Sequence, residues 1–199
     1  MSPEDRRAAP PVIVEPAPGS IADTFRELLP NVEMQAIQGV HDVLVVIDGK
    51  DVHRVLEAAR RDETMAFDFL RNLSGVDFEA DGLEVVYHLY SYQHRHAVTV
   101  RAKVPTAEPA IASVADLWRA ADWHEREVRD MFGIVFENHP NLVPLLLPED
   151  MLDHFPLRKD VPLAPLEEWQ GVQLGANMAQ AGHIPPGSGF NVEASKEAE

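Results

Sequence analysis

The sequence predicts an α+β fold, with a mixed, largely antiparallel sheet packed against helices and extended N- and C-terminal arms. Three observations lead there. Leu83 to Tyr92 and His96 to Val104 alternate side chains with a period of two. Ser20 to Leu29 and Asp51 to Arg61 carry apolar residues at helical spacing. Prolines crowd both ends of the chain, where neither period survives.

Taken in order, residues 1–19 are rich in Pro and Ala and read as a flexible arm. The first helix runs from Ser20, a natural N-cap with Asp23 three residues later, to Leu29. Val32 to Ile37 and Val43 to Ile47 read as strands about a turn at Gly39, and the second is wholly apolar, which places it inside the sheet. In Asp51 to Arg61 the residues Val52, Val55, Leu56 and Ala59 form one inward stripe. The segment with Phe67, Phe69 and Leu70 has no clear period. A strand follows from Leu73 to Glu79 and turns at Asp81-Gly82 into the two long strands, which answer each other as an antiparallel meander backed by helices. The domain spans 20–135, and residues 136–199 form an extended partner-binding segment. No internal repeat is present.

Composition removes several classes of function. Seventeen Lys and Arg against 33 Asp and Glu give the 199-residue chain a formal charge of −16, which argues against nucleic acid or an anionic lipid surface as the main partner. The absence of cysteine excludes a Cys-ligated iron–sulfur cluster, a zinc ribbon, a disulfide framework and a thiol nucleophile. No run approaches the roughly 18 apolar residues of a bilayer span. The first twenty residues resemble neither a signal peptide nor a mitochondrial presequence, so a soluble protein on the cytoplasmic side is expected. Among the nine histidines, His94 and His96 share a strand face, but no third ligand converges on them. His124-Glu125-Arg126-Glu127 is followed by Val128, so HExxH fails. Glu125 and Glu127 point to different helix faces and cannot work as a glycosidase pair. No G-x-S-x-G, P-loop or G-x-G-x-x-G occurs.

The most informative stretch runs from Trp123 to Leu163. Upstream of it, Val114, Leu117, Trp118 and Ala121 join Val128 and Phe132 on one helical stripe, with a break near Ala120 suggested by capping-box spacings at Ser113/Asp116 and Asp122/Glu125. Glu125 falls on that stripe and needs either the rim or a hydrogen-bonded positive partner. Trp123, Glu127 and Asp130 share the opposite face, where a surface helix has little use for an indole. Gly133 ends the helix. After the apolar run Ile134 to Phe136 and a turn at Asn138 to Asn141, prolines at 140, 144, 148, 156, 162 and 165 forbid long helices and central strands. Such a segment needs another surface to lie on, and other polypeptides are expected to complete its charges.

Here the residues carry a resemblance. Glu125-Arg126-Glu127, Asp130-Met131-Phe132-Gly133-Ile134, Phe136, Asn138-His139-Pro140 and Leu157-Arg158-Lys159-Asp160 resemble the signature of the 30-kDa subunit of respiratory complex I, the bacterial NADH–quinone oxidoreductase. Three positions depart from the family's usual pattern: Pro144 stands for Arg, Met151 for Trp, and Phe155 separates His154 from Pro156. The resemblance implies a cofactor-free structural subunit of the complex's hydrophilic arm, with flavin and iron–sulfur clusters in its neighbours. It implies docking on the 49-kDa-type subunit that holds the quinone site, with the small iron–sulfur subunit and the ferredoxin-like subunit nearby. The complex would sit on the cytoplasmic side of a bacterial cell membrane, touched by this chain only through its partners. Trp123, Glu125, Arg126, Glu127 and Asp130 are the expected interface lock, and His139, Pro140, Arg158, Lys159 and Asp160 the expected anchors of the chain path. Trp169, Met178 and Phe190 in the tail are expected to order on neighbouring subunits. Two alternatives share the same residues: the equivalent subunit of a ferredoxin- or F420-dependent quinone reductase or membrane-bound hydrogenase, and a free-standing acidic α+β binding module.

Overall fold

Sheet pairing in the computed structural model, which describes residues 14–148, 151 and 154–161, follows the period-two segments closely. In chain order the elements are α1 (Ile21–Leu28), β1 (Met34–Gln38), β2 (Val43–Asp48), α2 (Val52–Arg61), β3 (Phe69–Asp77), β4 (Leu83–Ser91), β5 (His96–Val104), β6 (Ala110–Ala112), α3 (Ala121–Phe132) and β7 (Val135–Glu137). The main sheet has the order β1-β2-β5-β4-β3. The β1–β2 hairpin and the β3–β4–β5 meander are antiparallel, and they meet through the parallel pair β2–β5. This is the mixed, largely antiparallel α+β architecture that the alternation implies.

One face of the sheet carries the core. Val45 and Ile47 lie opposite Val100 and Ala102, which in turn face Tyr87 and Val85, and Leu73 lies opposite Tyr87. Phe25, Val55, Leu56, Trp118, Val128 and Phe132 from the helices and the turn before α3 close over them. Burying each of the larger side chains contributes about 1.5–3 kcal/mol, so this face holds the domain together.

Where expectation and structure differ, the cause is local. Ser20 stands at the N-cap of α1, but its hydroxyl makes no capping bond; instead Asp23 reaches back and accepts from the Gly19 amide at 2.8 Å. Strand β3 starts at Phe69, four residues before the expected Leu73, because a bulge between Leu70 and Asn72 inserts Arg71 and breaks the period that would have revealed it. Residues Glu79–Asp81 form a 3-10 turn, not strand. Ser113 to Ala120 is a turn whose Val114, Leu117 and Trp118 are buried, and the helix begins only at Ala121. The boundary placed at 135 cuts through β7, which pairs with β6 in parallel.

The largest correction concerns the C-terminal segment. Residues 138–148 and 154–161 fold back on the domain, so this part of the 136–199 segment is a strap on its own chain; the hydrogen bonds that fix it are given below. In the N-terminal arm, the Val14 carbonyl accepts from Gln38 N at 2.7 Å. Residues 1–13 and the tail from 162, with Trp169, Met178 and Phe190, lie outside the described residues.

Strand β3 and helix α3 approach closely at Gly75, where an added Cβ would stand 2.5 Å from the ring of the buried Phe132. Gly75→Ala is therefore expected to push α3 off the sheet and cost about 1–3 kcal/mol in urea unfolding. An unchanged midpoint would show that the contact has slack.

Candidate functional site

The charged groups of helix α3 stand in sharply different settings. On the inward face Glu125 is fully buried. Its carboxylate accepts from the Ser113 hydroxyl at 2.6 Å and from the Val114 amide at 2.7 Å, so the turn before the helix acts as its cradle. No Lys or Arg among the described residues answers it. Burial therefore raises its pKa from 4.5 to about 7, against the lowering effect of those two donors, and the fields of Asp116 and Asp122 push the same way. The Tyr87 hydroxyl is also buried, without a hydrogen-bond partner, and burial followed by the Glu125 charge holds it well above the usual phenol value.

Beside Glu125 lies His139, its side chain wholly covered. The ring's Nδ1 accepts from the Asn141 amide at 3.0 Å, which places the ring proton on Nε2. That proton is donated to the Asp122 carbonyl at 3.1 Å, with Glu125 Oε2 a further step away at 3.8 Å. The imidazole thus ties the turn after β7 to the first turn of α3.

One turn further along, Arg126 and Asp130 hold the proline-rich strap from both sides. Arg126 donates to the Val143 carbonyl at 2.9 Å and the Pro144 carbonyl at 3.0 Å. Asp130 Oδ2 accepts from the amides of Leu145, Leu146 and Leu147 at 2.8, 2.8 and 3.3 Å, and Arg129 donates to Oδ1. Burial alone would raise the Asp130 pKa, but those amides and Arg129 outweigh it and hold the group below the usual carboxylate range. A segment that Pro144 and Pro148 bar from regular structure thereby finds partners for its peptide groups. At the far end of α3, Arg158 donates to the Phe132 carbonyl at 2.6 Å, and the Lys159 amide donates to Asp77 at 2.8 Å. Gly133, at φ +72°, leaves room for the Phe155 ring, which an added Cβ would meet at 2.7 Å.

The ten residues expected at an interface therefore divide. Glu125, Arg126, Asp130, His139 and Arg158 are completed within the chain itself, which corrects the expectation that other polypeptides supply their partners. Trp123, Glu127, Pro140, Lys159 and Asp160 remain exposed. Trp123 is 62% exposed and lies with its ring 5.5 Å from the Arg126 guanidinium. The strap adds exposed Val143 and Leu146. Sequence reasoning missed Ser113 as the partner of Glu125. Its spacing to Asp116 suggested a local cap, and only the fold brings it to a helix that begins eight residues later. His94 and His96 spend their Nε2 atoms on the carbonyls of Glu63 and Met65. Among the described residues no group of three or more His, Asp or Glu side chains could hold a metal ion, and no helix is long and apolar enough to cross a membrane.

The outer face of α3 thus carries a bare indole and the exposed Glu127, while Glu125 and Asp130 are buried. The family model for the 30 kDa subunit of respiratory-chain NADH dehydrogenase matches residues 45–167, more than half of the chain, and the chain belongs to that family. The NADH-quinone oxidoreductase relative from Roseiflexus sp. (strain RS-1) is 38% identical over 146 residues, covering 72% of this chain and 83% of its own length. An F(420)H(2) dehydrogenase relative from Methanosarcina mazei is 47% identical over 98 residues, covering 49% of this chain and 62% of its own length. Among solved structures, the trypsin-resistant fragment (1-134) of Nqo5 matches with a TM-score of 0.50 at 31% identity, over 61% of this chain and 96% of that one. A chain of the membrane-bound sulfane sulfur reductase, an archaeal respiratory membrane complex, shares the fold with a TM-score of 0.65 at 22% identity, over 75% and 88%.

The Glu125 setting has a measurable consequence. Its carboxyl binds a proton more tightly in the folded than in the unfolded chain, so its contribution to stability is complete below pH 4.5 and is lost as pH rises through about 7. Asp130 acts in the opposite sense: its depressed pKa gives stability that is present above the ordinary carboxylate value and lost as pH falls. Glu125→Gln keeps both hydrogen bonds, through Oε1 to Val114 N–H and Nε2–H to Ser113 Oγ. The variant is expected to gain on the wild-type chain across that window, by on the order of 3 kcal/mol above it, in urea unfolding measured from pH 5 to 8. A constant difference at all pH values would refute the assignment.

Proposed function

We propose that this chain is a cofactor-free structural subunit of the peripheral arm of a proton-pumping NADH–quinone oxidoreductase. It docks on the 49-kDa-type subunit, with the small iron–sulfur subunit and the ferredoxin-like subunit as further neighbours. The complex is held at the cytoplasmic side of a bacterial cell membrane, and flavin, clusters and quinone belong to the partners. Family membership supports the setting. The single observation that carries the docking reading is the exposed face of α3 at Trp123 and Glu127, continued by Val143 and Leu146 of the strap.

That face has the makings of an anchor. An indole flanked by a guanidinium, on a helix braced from behind by internal hydrogen bonds, loses little freedom on binding, and such aromatic residues dominate interface energies. Electron transfer would then depend on this chain only through the geometry it imposes on its neighbours.

A second reading has support of its own. The Methanosarcina F(420)H(2) dehydrogenase relative is as similar over its matched region as the NADH-linked relatives are. The same docking role in an F420- or ferredoxin-dependent complex fits the residues equally, and the donor oxidised by the purified assembly decides between the two.

Trp123→Ala and Glu127→Lys are expected to leave the unfolding free energy of the isolated chain within about 0.5 kcal/mol of the original, as exposed substitutions do. Recovery of the tagged chain in a cluster-containing complex from gently solubilised membranes should fall severalfold. Normal recovery with both substitutions would remove the docking surface from α3.

A further inference from the structure

A cleft whose lining includes no residue of α3 or the strap is left unused by the docking reading. It has a volume of about 720 Å³ and is walled by the start of α1, the β1–β2 turn, the bulge of β3 and the β4–β5 turn. Its walls contain Arg71 and Arg95, with Asp42 the lone carboxylate among the lining residues. In a chain with nearly twice as many acidic as basic side chains, an arginine normally finds an acid; neither of these has an ion-pair partner among the described residues.

Both arginines are placed by unusual backbone. Arg71 is the extra residue of the β3 bulge, a device that re-aims a side chain. Arg95 sits in the left-handed region at φ +54°, in the β4–β5 turn that its N–H closes onto the Ser91 carbonyl at 2.8 Å. The cleft also contains Ser20, whose hydroxyl is buried with no hydrogen-bond partner and makes no capping bond to α1. A buried hydroxyl without a partner is a donor waiting for an acceptor. Burial first, and then Arg71, hold the nearby His88 imidazole below its usual pKa, with Asp42 pulling the other way.

We propose that this cleft is a phosphate-binding site, in which Arg71 and Arg95 take the charged oxygens and the Ser20 hydroxyl donates to one of them. Guanidinium groups suit this task because their fixed forks match phosphate oxygens in pairs. Tyr90 and His96 complete the wall and give the site polar sides without adding negative charge. The phosphate can belong to a soluble organic phosphate or to an anionic lipid headgroup, and the chemistry of recognition is the same.

The test uses the full chain. Inorganic phosphate is titrated by calorimetry at low ionic strength, and binding to phosphatidylglycerol-containing phosphatidylcholine vesicles is followed by co-sedimentation. Arg71→Gln and Arg95→Asn are compared with Arg119→Gln, which removes an equal charge from an exposed position outside the cleft. The expected result is saturable binding of phosphate that weakens by about tenfold in each cleft variant and is unchanged in Arg119→Gln. Binding confined to the vesicles, and lost in the double cleft variant alone, supports the site with a lipid as its source. The proposal is overturned if neither probe binds, or if Arg119→Gln weakens binding as much as the cleft variants do.

Discussion

A carboxylate and a guanidinium one helical turn apart hold residues 143–147 of the strap against α3. Asp130 takes the amides of Leu145 to Leu147, and Arg126 the carbonyls of Val143 and Pro144. Peptide groups between prolines have no neighbouring strand or helix turn to bond with, and leaving several of them unpaired costs about 1–3 kcal/mol each. A charged pair at helical i,i+4 spacing supplies both donor and acceptor from a rigid frame. This part of the strap is thereby fixed on the domain, with Leu142 packed against the core and Val143 and Leu146 exposed.

The inner face of the helix follows a different logic. Glu125 has neutral donors only, so its charge carries the full burden of desolvation, and near neutral pH the group is divided between its two protonation states. A hydrocarbon there would be tolerated by the core, but it would not bond the turn at Ser113 and Val114 to α3. The carboxyl ties the turn at Ser113 and Val114 to α3, and His139 ties the turn after β7 to the same helix through the Asp122 carbonyl. These bonds add to the packing of Val128 and Phe132 in seating α3 on the sheet.

Much of the sheet could be read from side-chain pattern alone, by alternation in β4 and β5 and by the wholly apolar run of β2. The β1–β2 hairpin about Gly39 and the helical stripe of α2 were legible as well. Arg71 hid the first third of β3, since one inserted residue exchanges the two faces. The charged lock was legible as a set of residues that could not all be solvated, but the groups that satisfy it were not. Ser113 lies 12 residues before Glu125, and Leu145 lies 15 after Asp130. Only the folded path brings them together. The expectation of a second covered side on α3 holds for Asp130, yet the cover is this chain's own strap, and Trp123 and Glu127 are the part left bare. The family was legible because its motif consists of those very residues.

Amide hydrogen exchange on the isolated full chain tests most directly whether the strap is held from within. The account predicts that the Leu145 and Leu146 amides exchange as slowly as those in the middle of α3, because both lie on a buried carboxylate. Exchange at the rate of an unstructured peptide would contradict it, and would mean that Asp130 holds those amides only when a second protein presses the strap into place.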